Sequence, residues 1–255
     1  MIDIFDVTLP ALTGGEPRRA YVYLPEAAEE DPELRFPVLY MFDGHNVFFD
    51  EDATYGKSWG LGEYLDAHEV PLIVAAVECN HHPKNGRLHE YAPYPFFAFG
   101  YGAIKAKGPL TMDWLIRDFK PEIDRRYPTL PDREHTFIAG SSMGGLMSIY
   151  AVCCFNETFS RAAALSPSLE FNPPSLDKLL RHAKPAPDTV IYMDMVEKEL
   201  KKWGVGRLFR HFCRQLQAKR IKLTARLVPG GEHNEASWEK QIPFFLPTLL
   251  YGLED

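Results

Sequence analysis

The chain has 255 residues, 45% of them hydrophobic, and its formal net charge at pH 7 is −7. A chain of this length and composition can bury one large core, as soluble globular proteins do. The negative charge argues against non-specific nucleic-acid binding, because such binding needs a basic surface that displaces counterions from phosphates.

Neither membrane insertion nor secretion is indicated by the sequence. No apolar run approaches the ~20 residues that a membrane-spanning helix needs. The amino-terminal stretch MIDIFDVTLP carries acidic residues where a secretory signal carries lysine or arginine. Four cysteines are too few for a disulfide framework at this length. We therefore expect a reduced, cytoplasmic protein, and the sequence does not indicate its oligomeric state.

Strand-like and helix-like segments alternate along the chain. The strand-like segments are short apolar runs rich in β-branched or aromatic residues, and helical periodicity marks the segments between them. This order, after an initial hairpin, predicts one α/β domain over residues 1–255, with a mostly parallel sheet covered by helices on both faces. The predicted strands are 18–25, 36–44, 72–79, 135–142, 161–168, 189–195 and 222–230, and the predicted helices are 110–127, 144–155, 175–183, 206–219 and 235–250, the last containing or broken by Pro243 and Pro247.

The pattern Gly-x-Ser-x-Gly, typical of a serine nucleophile on a sharp turn, occurs twice. GSSMG at 140–144 directly follows a buried strand and directly precedes a helix. This context carries the hydroxyl of Ser142 to the edge of the sheet and places a helix amino terminus beside developing negative charge. GKSWG at 56–60 follows the acidic, turn-like stretch FFDEDATY, with no strand leading into it. We predict Ser142 as the nucleophile and a non-catalytic role for Ser58.

A serine nucleophile needs a base, and the base needs an acid that orients it. In this architecture the partners follow in the order Ser, acid, His. Of nine histidines, only His233 lies in a loop just after the last predicted strand, so we predict it as the base. The acid is expected to leave the penultimate strand, where Asp194, Glu197 and Glu199 are candidates that position alone does not separate.

Stabilising the reaction's oxyanion takes two backbone N–H groups. One is expected from Met143, the residue after the nucleophile. The second is expected from the loop MFDGHNVFFD, where Gly44 permits a tight turn and His45 or Asn46 presents its N–H. An ordinary β-turn at Asp-Gly is the alternative interpretation of this loop.

Four segments of the chain together resemble the putative-esterase family of α/β-hydrolases, which includes ferric-enterochelin esterases, feruloyl esterases and S-formylglutathione hydrolases. They run in order from about residue 36 to the carboxyl end. The segments are VLYMFDGHNVFFDEDATYGKSW, GRLHEYAPY, FIAGSSMGGLMSIYAVCCFNETFSRAAALSPSL and GGEHNEASWEKQIP.

The resemblance implies an α/β-hydrolase fold and specific roles for several residues. It maps an oxyanion N–H onto His45 and the triad acid onto Glu199. In the family the acid follows a Gly-Thr-x pattern, which this chain lacks, so Asp194 and Glu197 stay open. A Ser-Trp pair near the first sheet-covering helix recurs in such proteins. It implies that Ser58 caps this helix and that Trp59 packs or forms a pocket wall.

Residues 80–108 form a long segment without periodicity, which we predict to be a loop insertion on the substrate side. Arg87 and Glu90 are expected to pair and brace it. Its aromatic residues are expected to line a cleft, to pack onto the body or to form a dimer contact; they are Tyr91, Tyr94, Phe96, Phe97, Phe99 and Tyr101. The predicted substrate pocket comprises Trp59, Arg87, Tyr91 and Trp238.

The same region is rich in potential metal ligands, namely Cys79, His81, His82 and His89. Their spacing matches no defined zinc pattern, so we expect neither a metal nor a cofactor.

Taken with the resemblance, these residues predict a serine esterase that hydrolyses a small-molecule carboxylic ester, whether aromatic, siderophore-type or simple acyl. An acyltransferase with the same triad is one alternative. A non-catalytic binding protein of the same fold is another, although such proteins normally lack the serine or the histidine.

Overall fold

The computed structural model describes residues 1–253, so the last two residues of the predicted domain lie outside the described part. It contains ten strands within these residues. They are β1 (Ile2–Thr8), β2 (Pro17–Tyr23), β3 (Val38–Met41), β4 (Ile73–Val77), β5 (Phe96–Ala98), β6 (Gly102–Ile104), β7 (Thr136–Ser141), β8 (Arg161–Leu165), β9 (Val190–Val196) and β10 (Lys222–Val228).

Eight strands form one sheet in the order β1-β2-β4-β3-β7-β8-β9-β10, and β5 and β6 form a separate hairpin. Strand β2 pairs antiparallel with β1 and β4, whereas every pair from β4 to β10 is parallel. The prediction of a mostly parallel sheet is thus confirmed. Strand β1 was missing from the predicted strands. As an edge strand it is only half-buried, and its two aspartates interrupt the apolar pattern.

Helices lie between the strands of the described chain. They are α1 (Pro10–Thr13), α2 (Ala27–Glu30), α3 (Leu61–Ala67), α4 (Gly86–Glu90), α5 (Gly108–Trp114), α6 (Lys120–Arg126), α7 (Met143–Cys154), α8 (Pro173–His182), α9 (Glu197–Leu200), α10 (Val205–Gln217), α11 (Glu235–Glu239) and α12 (Ile242–Leu250). Within residues 1–253, none of them combines the length and apolarity that crossing a bilayer requires.

The predicted helix over 235–250 is broken into α11 and α12. Pro243 occupies the first turn of α12, where its missing N–H would have no helical partner in any case. Pro247 lies inside α12. By contrast, the predicted helix over 110–127 is continuous, because a π-helical turn at Leu115–Phe119 joins α5 to α6.

Two apolar layers bury the two faces of the sheet. Consecutive residues of β7 and β8 point to opposite layers, so Ile138 and Ala162 face one and Ala139 and Ala163 face the other. Helices α5 to α8 and α10 cover the first face, and α3 and α12 cover the second. Because the parallel strands run in the same direction, the loops after β3, β4, β7, β9 and β10 meet at one edge of the sheet.

The segment 80–108 is more ordered than the sequence indicated, since it contains α4 and the β5–β6 hairpin. Arg87 and Glu90 do not pair with each other, contrary to expectation. Glu90 binds Arg18 of β2 at 2.6 Å, with both side chains almost fully buried. Arg87 binds Asp43 instead. Each charge therefore ties α4 to a different part of the sheet, and the role of the segment as a substrate-side insertion stays a prediction.

Replacing Arg18 by methionine should lower the free energy of unfolding by about 3–5 kcal/mol, because it leaves the Glu90 carboxyl buried without its cation. Urea unfolding followed by circular dichroism measures this loss. Arg117→Met is the matched control: its pair with Asp113 is exposed, so its unfolding curve should coincide with that of the wild type within error. An equal loss in both variants would contradict a stabilising role for the buried pair.

Candidate active site

Ser142 is the single residue between β7 and α7, and it lies in a strained turn. Its φ of 57° and ψ of −120° lie in a region that non-glycine residues rarely adopt. Two backbone hydrogen bonds hold the turn. The N–H of Ser142 donates to Leu165 O at 2.9 Å, and the carbonyl of Ser142 accepts from Ser168 N–H at 3.0 Å. The flanking glycines are sterically required: a Cβ on Gly140 would come within 2.8 Å of the Gly144 backbone.

Glu199 lies behind His233, in the short helix α9 that directly follows β9. The distance from His233 Nδ1 to Glu199 Oε1 is 3.6 Å, slightly longer than a hydrogen bond, and this buried Nδ1 has no hydrogen-bond partner among residues 1–253. In proteins without bound substrate, catalytic hydrogen bonds are often long and tighten only on binding. A small rotation of the imidazole would therefore join the two groups.

The other two candidate acids have different partners. Asp194 is fully buried within β9, where its carboxylate accepts from Ser166 N–H at 2.9 Å and Tyr192 Oη at 3.0 Å. Burial raises the pKa of Asp194 to about 6. Glu197 accepts from the N–H of Gly230 at 2.9 Å and so supports the turn that carries His233. Of the three acids, Glu199 is the one that approaches the imidazole.

Burial lowers the pKa of His233 below its ordinary value of 6.5, and the positive charge of Lys202 lowers it further. Glu199 opposes this effect by favouring the protonated ring. The ammonium of Lys202 also lies 2.6 Å from Glu199 Oε2, which partly neutralises that carboxylate. A lowered pKa extends the pH range in which His233 is neutral, the form that a general base requires, toward more acidic pH.

Lys202→Met should move the acidic limb of the kcat/KM profile to higher pH. Removing the ammonium makes the imidazolium of His233 easier to form, so its pKa rises and the neutral base appears only at higher pH. The profile is best measured at low ionic strength, since salt screens exposed charges. Lys201→Met provides the control, because Lys201 binds Glu197 instead. An acidic shift for Lys202→Met, or equal shifts in both variants, would disprove this assignment.

The loop after β3 is held by a charged pair. Asp43 adopts the left-handed conformation, with φ of 59°, and its carboxylate receives two hydrogen bonds from Arg87 at 2.7 and 2.6 Å. Burial alone would raise the pKa of Asp43, but the guanidinium holds it below its ordinary value. Gly44 is needed next in the chain, because a Cβ there would lie 2.8 Å from the backbone of Val77.

This loop places the backbone of His45 at the same edge of the sheet as Met143. His45 lies in a single 3₁₀ turn, Gly44–Asn46, and Met143 is the first residue of α7. Within residues 1–253, neither backbone N–H donates a hydrogen bond to another group. Two unused backbone donors at the sheet edge that carries Ser142 are an arrangement that an oxyanion hole would require.

A cavity of about 380 Å³ brings most of the predicted site together. Five predicted residues line it, namely His45, Arg87, Ser142, His233 and Trp238. Tyr101, one of the aromatic residues for which lining a cleft was one expectation, lines it too. Residues without a predicted place in the pocket also line it, among them Tyr55, Cys79, His81 and Glu235. Met143 and Glu199 adjoin cavity residues without lining the cavity.

Two predicted pocket residues, Trp59 and Tyr91, are buried behind the cavity wall. The ring of Trp59 packs 6.0 Å from that of Trp238, which does line the cavity. Tyr91 accepts a hydrogen bond from the Asp43 N–H at 3.2 Å. The Tyr91 ring also lies 5.3 Å from the guanidinium carbon of Arg87, which lines the cavity. Trp59 thus supports a wall residue from the second apolar layer, and Tyr91 supports one from the first.

Ser58 lies outside the cavity, and it is not the cap of α3. The N-cap position belongs to Gly60. The hydroxyl of Ser58 donates to Asp50 Oδ1 at 2.8 Å and accepts from Gly60 N–H at 3.2 Å. The second Gly-x-Ser-x-Gly sequence is thus a turn stabilised by its serine. The expectation of a cap failed because the helix begins two residues later than a serine cap needs.

Glu235 is the most notable residue that the sequence analysis missed. It is 4% exposed and lines the cavity, its Oε2 has no hydrogen-bond partner within residues 1–253, and burial raises its pKa. A glutamate in the first turn of a helix is normally exposed, where its charge interacts favourably with the helix dipole. Its burial depends on how the loop after β10 packs at the sheet edge, and no local pattern in the sequence predicts that packing.

Comparison with known proteins identifies the family. Residues 12–250 match the family described as putative esterase. A 154-residue stretch is 25% identical to the uncharacterized protein YbbA of Bacillus subtilis (strain 168). This stretch covers 59% of the chain but only 57% of that relative, so the chain spans little more than half of its length.

Solved structures share the fold at low sequence identity. The enterobactin esterase FES from Shigella flexneri, in the presence of enterobactin, superposes with a TM-score of 0.77 and 17% identity over 100% of this chain and 60% of that one. An IroE-like serine hydrolase from Shewanella oneidensis gives 0.70 and 19% over 93% of this chain and 76% of that one. The family match extends over nearly the whole chain, and the protein belongs to the putative-esterase family.

Proposed function

We propose that the protein is a serine esterase that hydrolyses a carboxylic ester through an acyl-enzyme on Ser142. One observation carries the proposal: the strained serine and His233 line the same cavity, and Glu199 lies behind the imidazole. The family match supports an esterase, and the relative described as a serine hydrolase has the same fold.

In the first half-reaction, His233 Nε2 takes the proton of the Ser142 hydroxyl as Oγ bonds to the ester carbonyl carbon. The oxygen of the tetrahedral intermediate then accepts hydrogen bonds from the N–H groups of Met143 and His45. The imidazolium gives its proton to the leaving alcohol as the carbon–oxygen bond breaks. Glu199 stabilises the transient positive charge on the ring.

The second half-reaction repeats these steps with water. His233 removes a proton from water, the resulting hydroxide attacks the acyl carbon, and the Ser142 oxygen leaves with the proton that the imidazolium returns. The side chain of His233 is 32% exposed, so water can reach the base. This exposure favours hydrolysis over transfer to another alcohol, which requires that water be excluded.

Three side chains in the cavity are expected to influence which ester binds: the aromatic rings of Tyr55 and Tyr101 and the carboxyl of Glu235. The two tyrosines line the cavity and are 79% and 55% exposed, which suits an ester with an aromatic or apolar part. A panel of aromatic, siderophore-type and simple acyl esters ranks these classes by kcat/KM.

The proposed location is the cytoplasm. The four cysteines are free, which accords with a reducing environment.

Fluorophosphonate labelling of the purified protein tests the mechanism. We expect one adduct by intact mass, located on Ser142 by peptide mapping, and a much slower reaction in His233→Ala. Ser58→Ala should label like the wild type. An adduct on Ser58, or labelling of Ser142 at an equal rate without His233, would refute the proposal.

A further inference from the structure

Three metal-ligating side chains converge on one wall of the cavity. His45 follows β3, whereas Cys79 and His81 follow β4, its parallel neighbour in the sheet. One ligand atom from each of the three residues lies within 4.8 Å of the others. The expectation of no metal rested only on the spacing within 79–89, because the sequence does not show that His45 lies beside Cys79 and His81.

The imidazole of His45 is oriented as a metal ligand would be. His45 is 4% exposed, its Nε2 lies 3.0 Å from Thr54 Oγ1, and its Nδ1 is buried without a hydrogen-bond partner within residues 1–253. Metal-bound histidines usually donate their other ring N–H to a neighbouring oxygen, which fixes the tautomer. Donation from Nε2 to Thr54 leaves the lone pair of Nδ1 free. An unsatisfied buried nitrogen is costly, so a bond from Nδ1 to a metal would stabilise this side chain.

We propose that His45, Cys79 and His81 form a Zn²⁺ site on the wall of the catalytic cavity. Two imidazoles and one thiolate are ligands that zinc prefers, and three protein ligands leave one tetrahedral position open to the cavity. Zinc–ligand bonds of about 2.0–2.3 Å place ligand atoms within about 4 Å of one another. The cluster must therefore contract slightly, and His81, the exposed member, can move toward the two buried ones.

Zinc binding at this site must remove a proton, and it adds positive charge beside Asp43 and Arg87. The proton comes from the Cys79 thiol, because a coordinating thiol is deprotonated. The carboxylate of Asp43 stabilises the added positive charge of the metal, whereas the guanidinium of Arg87 disfavours it.

Occupation of the site would obstruct the reaction proposed above. A metal on His45 lies beside the backbone N–H assigned to the oxyanion, and it fills part of the cavity that the substrate needs. We therefore expect Zn²⁺ to inhibit hydrolysis reversibly. This consequence rests on the proposed function, whereas zinc binding itself does not.

Isothermal titration with Zn²⁺ tests binding without reference to activity. The full chain is reduced, treated with chelator and desalted beforehand. We expect one Zn²⁺ per chain with release of about one proton, seen as a dependence of the heat on the ionisation enthalpy of the buffer. His81→Ala should weaken binding at least about tenfold, and Cys79→Ser should weaken it further. His82→Ala is the matched control, because His82 lines the same cavity but is not one of the three ligands.

Co²⁺ gives an independent measure of the ligand set, because a thiolate ligand produces a charge-transfer absorption band that Cys79→Ser should abolish. No saturable binding of Zn²⁺ overturns the proposal. So does binding that survives Cys79→Ser and His81→Ala but disappears in His233→Ala, since the metal would then sit on the triad. Zinc binding without inhibition would keep the site and refute only its effect on the proposed reaction.

Discussion

Replacing Ser142 by alanine is expected to lower kcat for the best ester of the panel by about 10⁴–10⁶-fold, the loss typical of removing a serine nucleophile. Without Oγ no acyl-enzyme can form, and the turnover that remains comes from the oxyanion donors and from substrate positioning. KM should change far less than kcat, because the cavity walls are intact. Initial rates with highly purified protein measure both constants.

Ser58→Ala provides the comparison for this result. The Ser58 hydroxyl lies in the second Gly-x-Ser-x-Gly sequence but is bonded to Asp50 and Gly60, outside the cavity. We expect this variant to keep its kcat and to lose stability only. If Ser142→Ala retained turnover while Ser58→Ala lost it, the nucleophile would have been assigned to the wrong serine.

Local sequence was sufficient to predict the strand, the turn and the helix around Ser142. The apolar run before GSSMG and the helical periodicity after it are both contiguous, and the structure contains β7 and α7 at these places. The position of His233 also follows from chain order, because the loop after the last parallel strand must reach the same sheet edge as the turn. Short-range pattern and sheet topology together predict that these two residues lie at the same edge of the sheet.

The rest of the site depends on contacts that no local pattern encodes. Arg87 was expected to pair with Glu90, three residues away, yet it binds Asp43 from a loop that is distant in the chain. Glu235 was only the first residue of a predicted helix, with no role assigned, yet it is buried and lines the cavity. These outcomes depend on how separate loops pack at the sheet edge, and one sequence does not determine that packing by periodicity.

The sequence also could not distinguish the three candidate acids, although they lie only a few residues apart. Asp194, Glu197 and Glu199 lie within six positions, but they differ in backbone direction. Asp194 is in strand β9 and points into the core, whereas Glu197 and Glu199 belong to one turn of α9 and point to different neighbours. Only the bend at the end of β9 separates these roles, and the sequence offers no glycine or proline there to reveal it.

Glu199→Gln should therefore lower kcat by about 10³–10⁴-fold, the second-largest effect that we expect. A glutamine amide cannot stabilise the imidazolium of His233, and it favours the wrong tautomer when its NH₂ group faces Nδ1. Steady-state kinetics measure the loss, and labelling of Ser142 by the fluorophosphonate should slow in parallel, since both depend on the activated serine.

Asp194→Asn separates this role from a structural one. The carboxyl of Asp194 is occupied by Tyr192 and Ser166, so its replacement should change the free energy of unfolding while kcat stays within about tenfold of wild type. Glu197→Gln, which weakens the bond to Gly230, should disturb the loop of His233 only mildly. A collapse of kcat in Asp194→Asn with near-normal turnover in Glu199→Gln would move the acid into strand β9. The 3.6 Å approach of Glu199 to the imidazole would then be an ion pair without a catalytic role.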